Sequence, residues 1–267
     1  MELRSKALIG AIAGDIIGSP YEGQPAYLLE LPVNVNHPRQ RFTDDTVLTV
    51  AVADALLTDR DFQGKILEYA RRYPHRGYGG NFKRWIYSEN PQPYNSYGNG
   101  AAMRVSPVAW AGRTLDEVLD LAKASAEVTH NHPEGIKAAQ AVASAIFLAR
   151  TGHDKNEIRR FITDNFDYKL DFTIESIRPF YCGKAVSQVS VPPSIVAFLD
   201  SEDFLSAIIN AIVIGGDTDT QAAIAGSIAS AFYDDIPVDI VKRAESLLPG
   251  EMIEVINAFE QRFVFNA

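Results

Sequence analysis

Carboxylates and hydroxyls gather at two places in this chain, Thr43-Asp44-Asp45-Thr46 and Gly215-Gly216-Asp217-Thr218-Asp219-Thr220. Such oxygens are the hard ligands that Mg²⁺ and Mn²⁺ prefer, and neither segment holds an imidazole or a thiolate. Carboxylates crowded at one point repel one another unless cations neutralise them or protons are taken up. If the fold joins the two segments, they form one centre for two divalent cations, Mg²⁺ or Mn²⁺. Helix capping is the competing reading. Thr43 suits a helix N-cap, and Asp44, Asp45, Asp217 and Asp219 all suit the positive end of a helix dipole. The pair Gly215-Gly216 favours the metal reading, because glycine lets the backbone bend sharply and pass close to something bound. So does the recurrence of one device near each end of the chain.

Other segments carry weaker chemistry. Asn99-Gly100-Ala101-Ala102-Met103-Arg104 follows Tyr94-Asn95-Ser96-Tyr97-Gly98, and its small residues expose backbone N–H groups that suit a phosphate or merely build a turn. Tyr94 and Tyr97 are placed either to stack on a base or ribose or to cover a core edge. His130-Asn131-His132-Pro133 lacks the third nitrogen or sulfur ligand of a zinc site, so a ligand-contacting or helix-capping histidine is expected there. Asp15 is a candidate support for the acidic centre.

Helices must position these groups. Apolar residues recur at helical spacing over 7–17, 47–57, 62–72, 115–128, 134–150, 156–165, 204–213, 220–232 and 252–263. Strand-like alternation is confined to 186–191, where Pro192-Pro193 should end it. Turn-forming residues fill 20–38, 76–80, 91–107 and 177–193. Gly10, Gly14 and Gly18 recur on one face of the first helix, and Ala222, Gly226 and Ser230 form a similar ridge in a late one. Two ridges of small residues imply helices in close contact, which would bring their end loops together. No linker, low-complexity block or repeat divides the chain, so residues 1–267 are expected to form a single all-α domain.

Composition narrows the function. The formal net charge is −9, which argues against a nucleic-acid backbone as partner. A lone Cys182 forms no internal disulfide and fits a reducing cytoplasm. No run of apolar residues is long enough to span a membrane, and the first seven residues do not resemble a secretory leader.

Taken together, Gly10-Ala11-Ile12-Ala13-Gly14-Asp15-Ile16-Ile17-Gly18 with Glu22, Thr43-Asp44-Asp45-Thr46, Asn99-Gly100-Ala101-Ala102-Met103-Arg104, Thr129-His130-Asn131-His132-Pro133 and Gly216-Asp217-Thr218-Asp219-Thr220 resemble the ADP-ribosylglycohydrolase family. The five pieces occur in the family's order across most of the chain. The resemblance implies an all-α fold, a compact helical orthogonal bundle, with a binuclear Mg²⁺ or Mn²⁺ centre at the bottom of an ADP-ribose cleft. It implies Thr43, Asp44, Asp45, Asp217, Asp219 and Thr220 as metal ligands. It places Asn99, Gly100, Ala101 and Ala102 against ribose and diphosphate and His132 near the phosphates or distal ribose; Tyr97 is a further candidate for the substrate from its place in the loop. Glu22 is implied as the acid/base on a mobile loop, with Asp45 as an alternative base. Asn81 stands where some members carry an acid, which leaves the general acid open. The expected substrate is an ADP-ribosylated protein or a small ADP-ribose conjugate, with nucleic acid only as an ADP-ribosylated acceptor, and the expected state is a cytoplasmic monomer. Two alternatives are a metal-dependent phosphohydrolase on a nucleotide-like substrate and a non-catalytic ADP-ribose binder.

Overall fold

The computed structural model describes residues 7–265; the reading of the N-terminal leader falls on residues outside these. The chain runs through α1 (Ile9–Gly18), α2 (Asp44–Leu57), α3 (Phe62–Arg72), α4 (Gly80–Ile86), α5 (Gly100–Met103), α6 (Ser106–Ala111), α7 (Leu115–Glu127) and α8 (Pro133–Arg150). It continues through α9 (Lys155–Phe166), α10 (Ile174–Ile177), α11 (Ser187–Leu199), α12 (Phe204–Val213), α13 (Thr218–Tyr233), α14 (Val238–Leu247) and α15 (Gly250–Glu260). No strand occurs among the described residues, so the all-α expectation holds. Extended pairing among the described residues is limited to two isolated bridges, Pro25 with Gly215 and Gly98 with Val186.

Burial follows composition. Every residue of α1 is buried, as is α13 from Thr218 to Ala231. A helix apolar on all sides belongs inside, and α13 is surrounded by α1, α8, α11 and α12. Helices with one polar face, such as α3, α7, α9 and α14, form the exterior. The two small-residue ridges meet. An added Cβ at Gly10, Gly14 or Gly18 would lie less than 3.0 Å from backbone oxygens of Gly226, Ala222 or Thr218. Only glycine permits this approach, and it fixes where the end of α1 meets the start of α13.

Three expectations are corrected. The segment expected as a strand is helical: Val186 is the N-cap of α11, and Pro192 and Pro193 lie inside that helix. Their missing N–H groups would have bonded the carbonyls of Gln188 and Val189, in the helix's first, partly exposed turn where water can serve those oxygens. Residues 91–107 are not all turn, for α5 and the start of α6 lie there. The amphipathic α14 and the short α4 are helices that the apolar spacing did not single out.

Candidate metal centre and cleft

The centre forms where the last turn of α1 meets the first turns of α2 and α13. Asp15, near the end of α1, is fully buried and accepts from both ends of the Thr43–Thr46 turn. The Thr43 N–H donates to its Oδ2 at 2.9 Å, the Thr43 hydroxyl to its Oδ1 at 2.7 Å, and the Thr46 N–H to Oδ2 at 3.1 Å. The Thr46 hydroxyl donates to the same Oδ2. Asp15 thus caps α2 from another helix, while Thr43 adds the expected local cap by accepting from the Asp45 N–H at 3.3 Å. With the Arg76 carbonyl accepting from the Asp44 N–H at 2.7 Å, the first N–H groups of α2 all find partners other than the Asp44 and Asp45 carboxyls.

At α13 capping does not account for the acidic residues. Asp217 occupies the N-cap position, yet its side chain makes no cap hydrogen bond. Its Oδ2 instead accepts from Asn99 Nδ2 at 2.5 Å, and the same nitrogen lies 3.1 Å from Ser190 Oγ. The bend before it uses positive φ angles of 74° at Gly215 and 81° at Gly216. That bend clasps the Glu22 loop: the Gly23 N–H donates to the Gly216 carbonyl at 2.7 Å, and the Gly216 N–H to the Gln24 carbonyl at 2.8 Å.

Two groups of carboxylates result, Asp15 with Asp45 and Asp219, and Glu22 with Asp217 and Asp219, each with oxygens within 4.8 Å of one another. Asp219 belongs to both. Burial, then Asp219, pushes the Asp45 carboxyl far above its usual range, and burial, then Asp217, does the same to Asp219. Asp44 is pushed up to about 8 by burial and then by Asp15. Burial also raises Asp15, Asp217 and Glu22, the last with help from Asp217 and against the pull of Arg41, whose Nη2 lies 3.4 Å from Glu22 Oε2. Oδ1 of Asp45 and Oδ1 of Asp219 are buried without a hydrogen-bond partner among the described residues. Orphaned oxygens at shared carboxyl groups are what a divalent cation satisfies in place of protons, so the donor set fits hard cations. Thr220 Oγ1 donates to Asp45 Oδ2 at 3.3 Å, which places this hydroxyl in the same cluster.

Above the centre opens a cleft of about 550 Å³, a volume typical of ligand pockets. Asp44, Asp45, Asp217, Asp219 and Thr220 all line it, so both acidic segments reach one floor. Thr43 lies just beneath, buried and bonded to Asp15. Glu22 stands at the rim, and Asn81 and Phe82 form part of the wall. The proposed phosphate segment divides. Asn99 and Gly100 face the cleft, whereas Ala101 and Ala102 turn into the core because α5 presents one side to each. The histidine on the cleft wall is His130, not His132. His132 is the N-cap of α8, its Nδ1 accepting from the Glu134 N–H at 3.1 Å, and its ring packs edge-on against Tyr97 at 5.4 Å. The Pro133-Glu134 start of a helix was the signal that His132 is occupied with capping. Tyr94 and Tyr97 both line the cleft, Tyr97 half exposed.

Known proteins share both sequence and fold with this chain. A family model described as ADP-ribosylglycohydrolase matches residues 4–264. The chain is 28% identical over 312 residues to ADP-ribosylhydrolase ARH3 of Homo sapiens, covering 86% of this chain and 85% of that protein. It is 28% identical over 195 residues to the ADP-ribosyl-[dinitrogen reductase] glycohydrolase of Rhodospirillum rubrum, covering 70% and 61%. A solved structure titled ADP-ribosylglycohydrolase-related protein complex superposes with a TM-score of 0.75 at 25% identity, covering 97% of this chain and 96% of the other. A matching family model over nearly the whole sequence, a shared fold and two acidic segments meeting in one cleft lead to one conclusion: this chain belongs to the ADP-ribosylglycohydrolase family and is a hydrolase of ADP-ribosyl linkages.

Proposed function

We propose that the chain cleaves the glycosidic bond between ADP-ribose and its acceptor, an ADP-ribosylated protein side chain or a related small conjugate, with two divalent cations, Mg²⁺ or Mn²⁺, held at the cleft floor. The observation that carries this reading is Asp219, shared by two buried carboxylate groups beneath a nucleotide-sized cleft. Thr43, Asp44, Asp45, Asp217, Asp219 and Thr220 would hold the ions, with Asp15 orienting Thr43 and Thr46 behind them. Bound ions of this kind neutralise the carboxylates and polarise ligand oxygens.

The chain's own groups do the rest. Asn99 fixes the Asp217 carboxylate, and Asn99 and Gly100 line the cleft where the ligand would lie. Tyr94 and Tyr97 offer ring faces for a base or ribose. Glycosyl cleavage develops oxocarbenium-like charge, and a positioned carboxyl assists by protonating the leaving group or taking a proton from water. Glu22 fits this role at the rim, because burial and Asp217 raise its affinity for a proton while Arg41 holds its direction. Asp45 is the alternative base. The unbroken apolar cluster supports one domain over residues 1–267, and the lone Cys182 supports a reducing compartment such as the cytoplasm. No helix among the described residues is long and apolar enough to cross a membrane. We take the working state to be a monomer.

A release assay on a panel of defined ADP-ribosylated acceptors, with and without chelator, tests the proposal. Release of ADP-ribose that chelator abolishes and Mg²⁺ or Mn²⁺ restores is expected. Release of inorganic phosphate instead would establish a phosphohydrolase, and chelator-insensitive turnover would remove the metal centre from the chemistry.

A further inference from the structure

Arg104 is fully buried, yet it forms no ion pair among the described residues, and its Nε and Nη1 have no hydrogen-bond partner there. Burying an unpaired guanidinium is costly, so its retention needs a physical reason. Among the described residues it is also the only lysine or arginine lining the cleft, whose floor is acidic. Its Nη2 donates to the Ser125 carbonyl at 2.9 Å and to Thr129 Oγ1 at 2.9 Å. Thr129 Oγ1 in turn lies 2.7 Å from Nδ1 of His130.

The proton inventory of this chain favours one tautomer. A guanidinium can only donate, so Thr129 Oγ1 accepts from Arg104. The hydroxyl has a single proton, and the one acceptor it reaches among the described residues is His130 Nδ1. An accepting Nδ1 uses that proton, whereas an Nδ1–H would leave the hydroxyl facing two donors with no acceptor for its own proton, so the inventory favours the ring proton on Nε2. Burial, then the charge of Arg104, holds the imidazole far below its ordinary pKa, so the ring is neutral and its tautomer matters. The Cε1–Nε2 edge lies over Gly100 and Gly98, where an added Cβ would come within 3.1 Å and 3.7 Å of Nε2. No side chain at these glycines covers the edge, and Nε2 has no hydrogen-bond partner among the described residues.

We propose that Arg104 and Thr129 are positioning residues that lock His130 as its Nε2–H tautomer, presenting a donor to an oxygen of the ADP-ribose diphosphate or its adjoining ribose. The inference rests on the ADP-ribose reading for its ligand, whereas the tautomer itself is independent of that reading. A neutral donor suits this place, because it gains a hydrogen bond to an anionic oxygen and does not need a counter-charge when the cleft is empty.

The test uses ¹⁵N-histidine-labelled full-length protein, with the His130 resonances assigned by difference from His130→Asn. The ligand-free wild type should show Nδ1 unprotonated and Nε2 protonated. Thr129→Val should lose that preference and weaken calorimetric ADP-ribose binding about tenfold, the scale of one hydrogen bond to a charged group. Thr129→Ser, which keeps the hydroxyl, should restore both. An Nδ1–H ring in the wild type overturns the proposal without any variant having to fold. So does a Thr129→Val protein whose tautomer or affinity is unchanged. An Nε2–H wild-type ring with no heat from ADP-ribose would instead overturn the ADP-ribose reading and leave the tautomer assignment standing.

Discussion

Asp219 joins both carboxylate groups, whereas Asp15 spends its oxygens on the Thr43–Thr46 turn, and the two should fail differently. Asp219→Ala removes an oxygen donor common to both cation positions. Divalent-ion binding by calorimetry and ADP-ribose release should both fall below detection, with the helical circular dichroism unchanged. Full turnover with intact ion binding would remove Asp219 from the centre. Asp15→Asn keeps the shape but weakens acceptance from Thr43 and Thr46. Supporting residues behind metal ligands are typically worth about 10–100-fold in affinity or activity, and a loss of that size is expected. Glu22→Gln should behave in a third way, lowering kcat by about 10²–10⁴-fold, as for a positioned acid or base, with ion affinity nearly preserved. If ion binding collapsed with it, Glu22 would be a ligand rather than the acid/base.

At the scale of elements, α1 against α13 sets the geometry. Gly14→Ala places a Cβ less than 3.0 Å from the Ala222 carbonyl and the Ala223 nitrogen, backbone atoms that cannot swing away. Overpacking of this kind costs about 1–3 kcal/mol, and a lower denaturation midpoint with reduced ion affinity is expected. Gly250→Ala, in open space at the start of α15, should leave the midpoint unchanged or slightly raised. Equal effects at the two positions would deny the ridge its special role. This contact was legible beforehand, because glycines four residues apart weaken a helix unless a neighbour packs closely along them. So were the long helices and the convergence of Asp44 with Asp217. The trans cap by Asp15 was only half legible, since a lone buried aspartate shows its partners only after folding. Helix α11 was misread because three valines at 186, 189 and 191 ahead of two prolines imitate a strand, although Val186 and Val189 also stand at helical spacing, and periodicity over so short a run does not separate the two. The choice between His130 and His132 turned on which ring the α8 N-terminus occupies, a matter of a single residue's register.

For the whole molecule, the buried carboxylates make stability depend on pH in an unusual direction. Asp44, raised to about 8, and Asp15, Asp45, Asp217 and Asp219, raised with it, hold protons in the folded state that the unfolded chain has released above its ordinary value of 3.8. The folded state therefore binds more protons than the unfolded one, and stability falls as pH rises across this window. Melting temperatures measured in chelator should drop steadily from about pH 5 to pH 8 as this linkage develops. Mg²⁺ or Mn²⁺ should flatten the slope by taking the place of the protons. A chelated protein whose melting temperature is level or climbs over that range would contradict the burial of these groups.

The paired amides that fasten the Glu22 loop to the Gly216 bend have one more implication. Any acceptor bulky enough to push that rim outward also tugs on the backbone that carries Asp217. Attempts to widen the range of tolerated leaving groups by reshaping residues 22–25 should therefore erode cation retention in step, so that promiscuity and metal loss arise together as one trait.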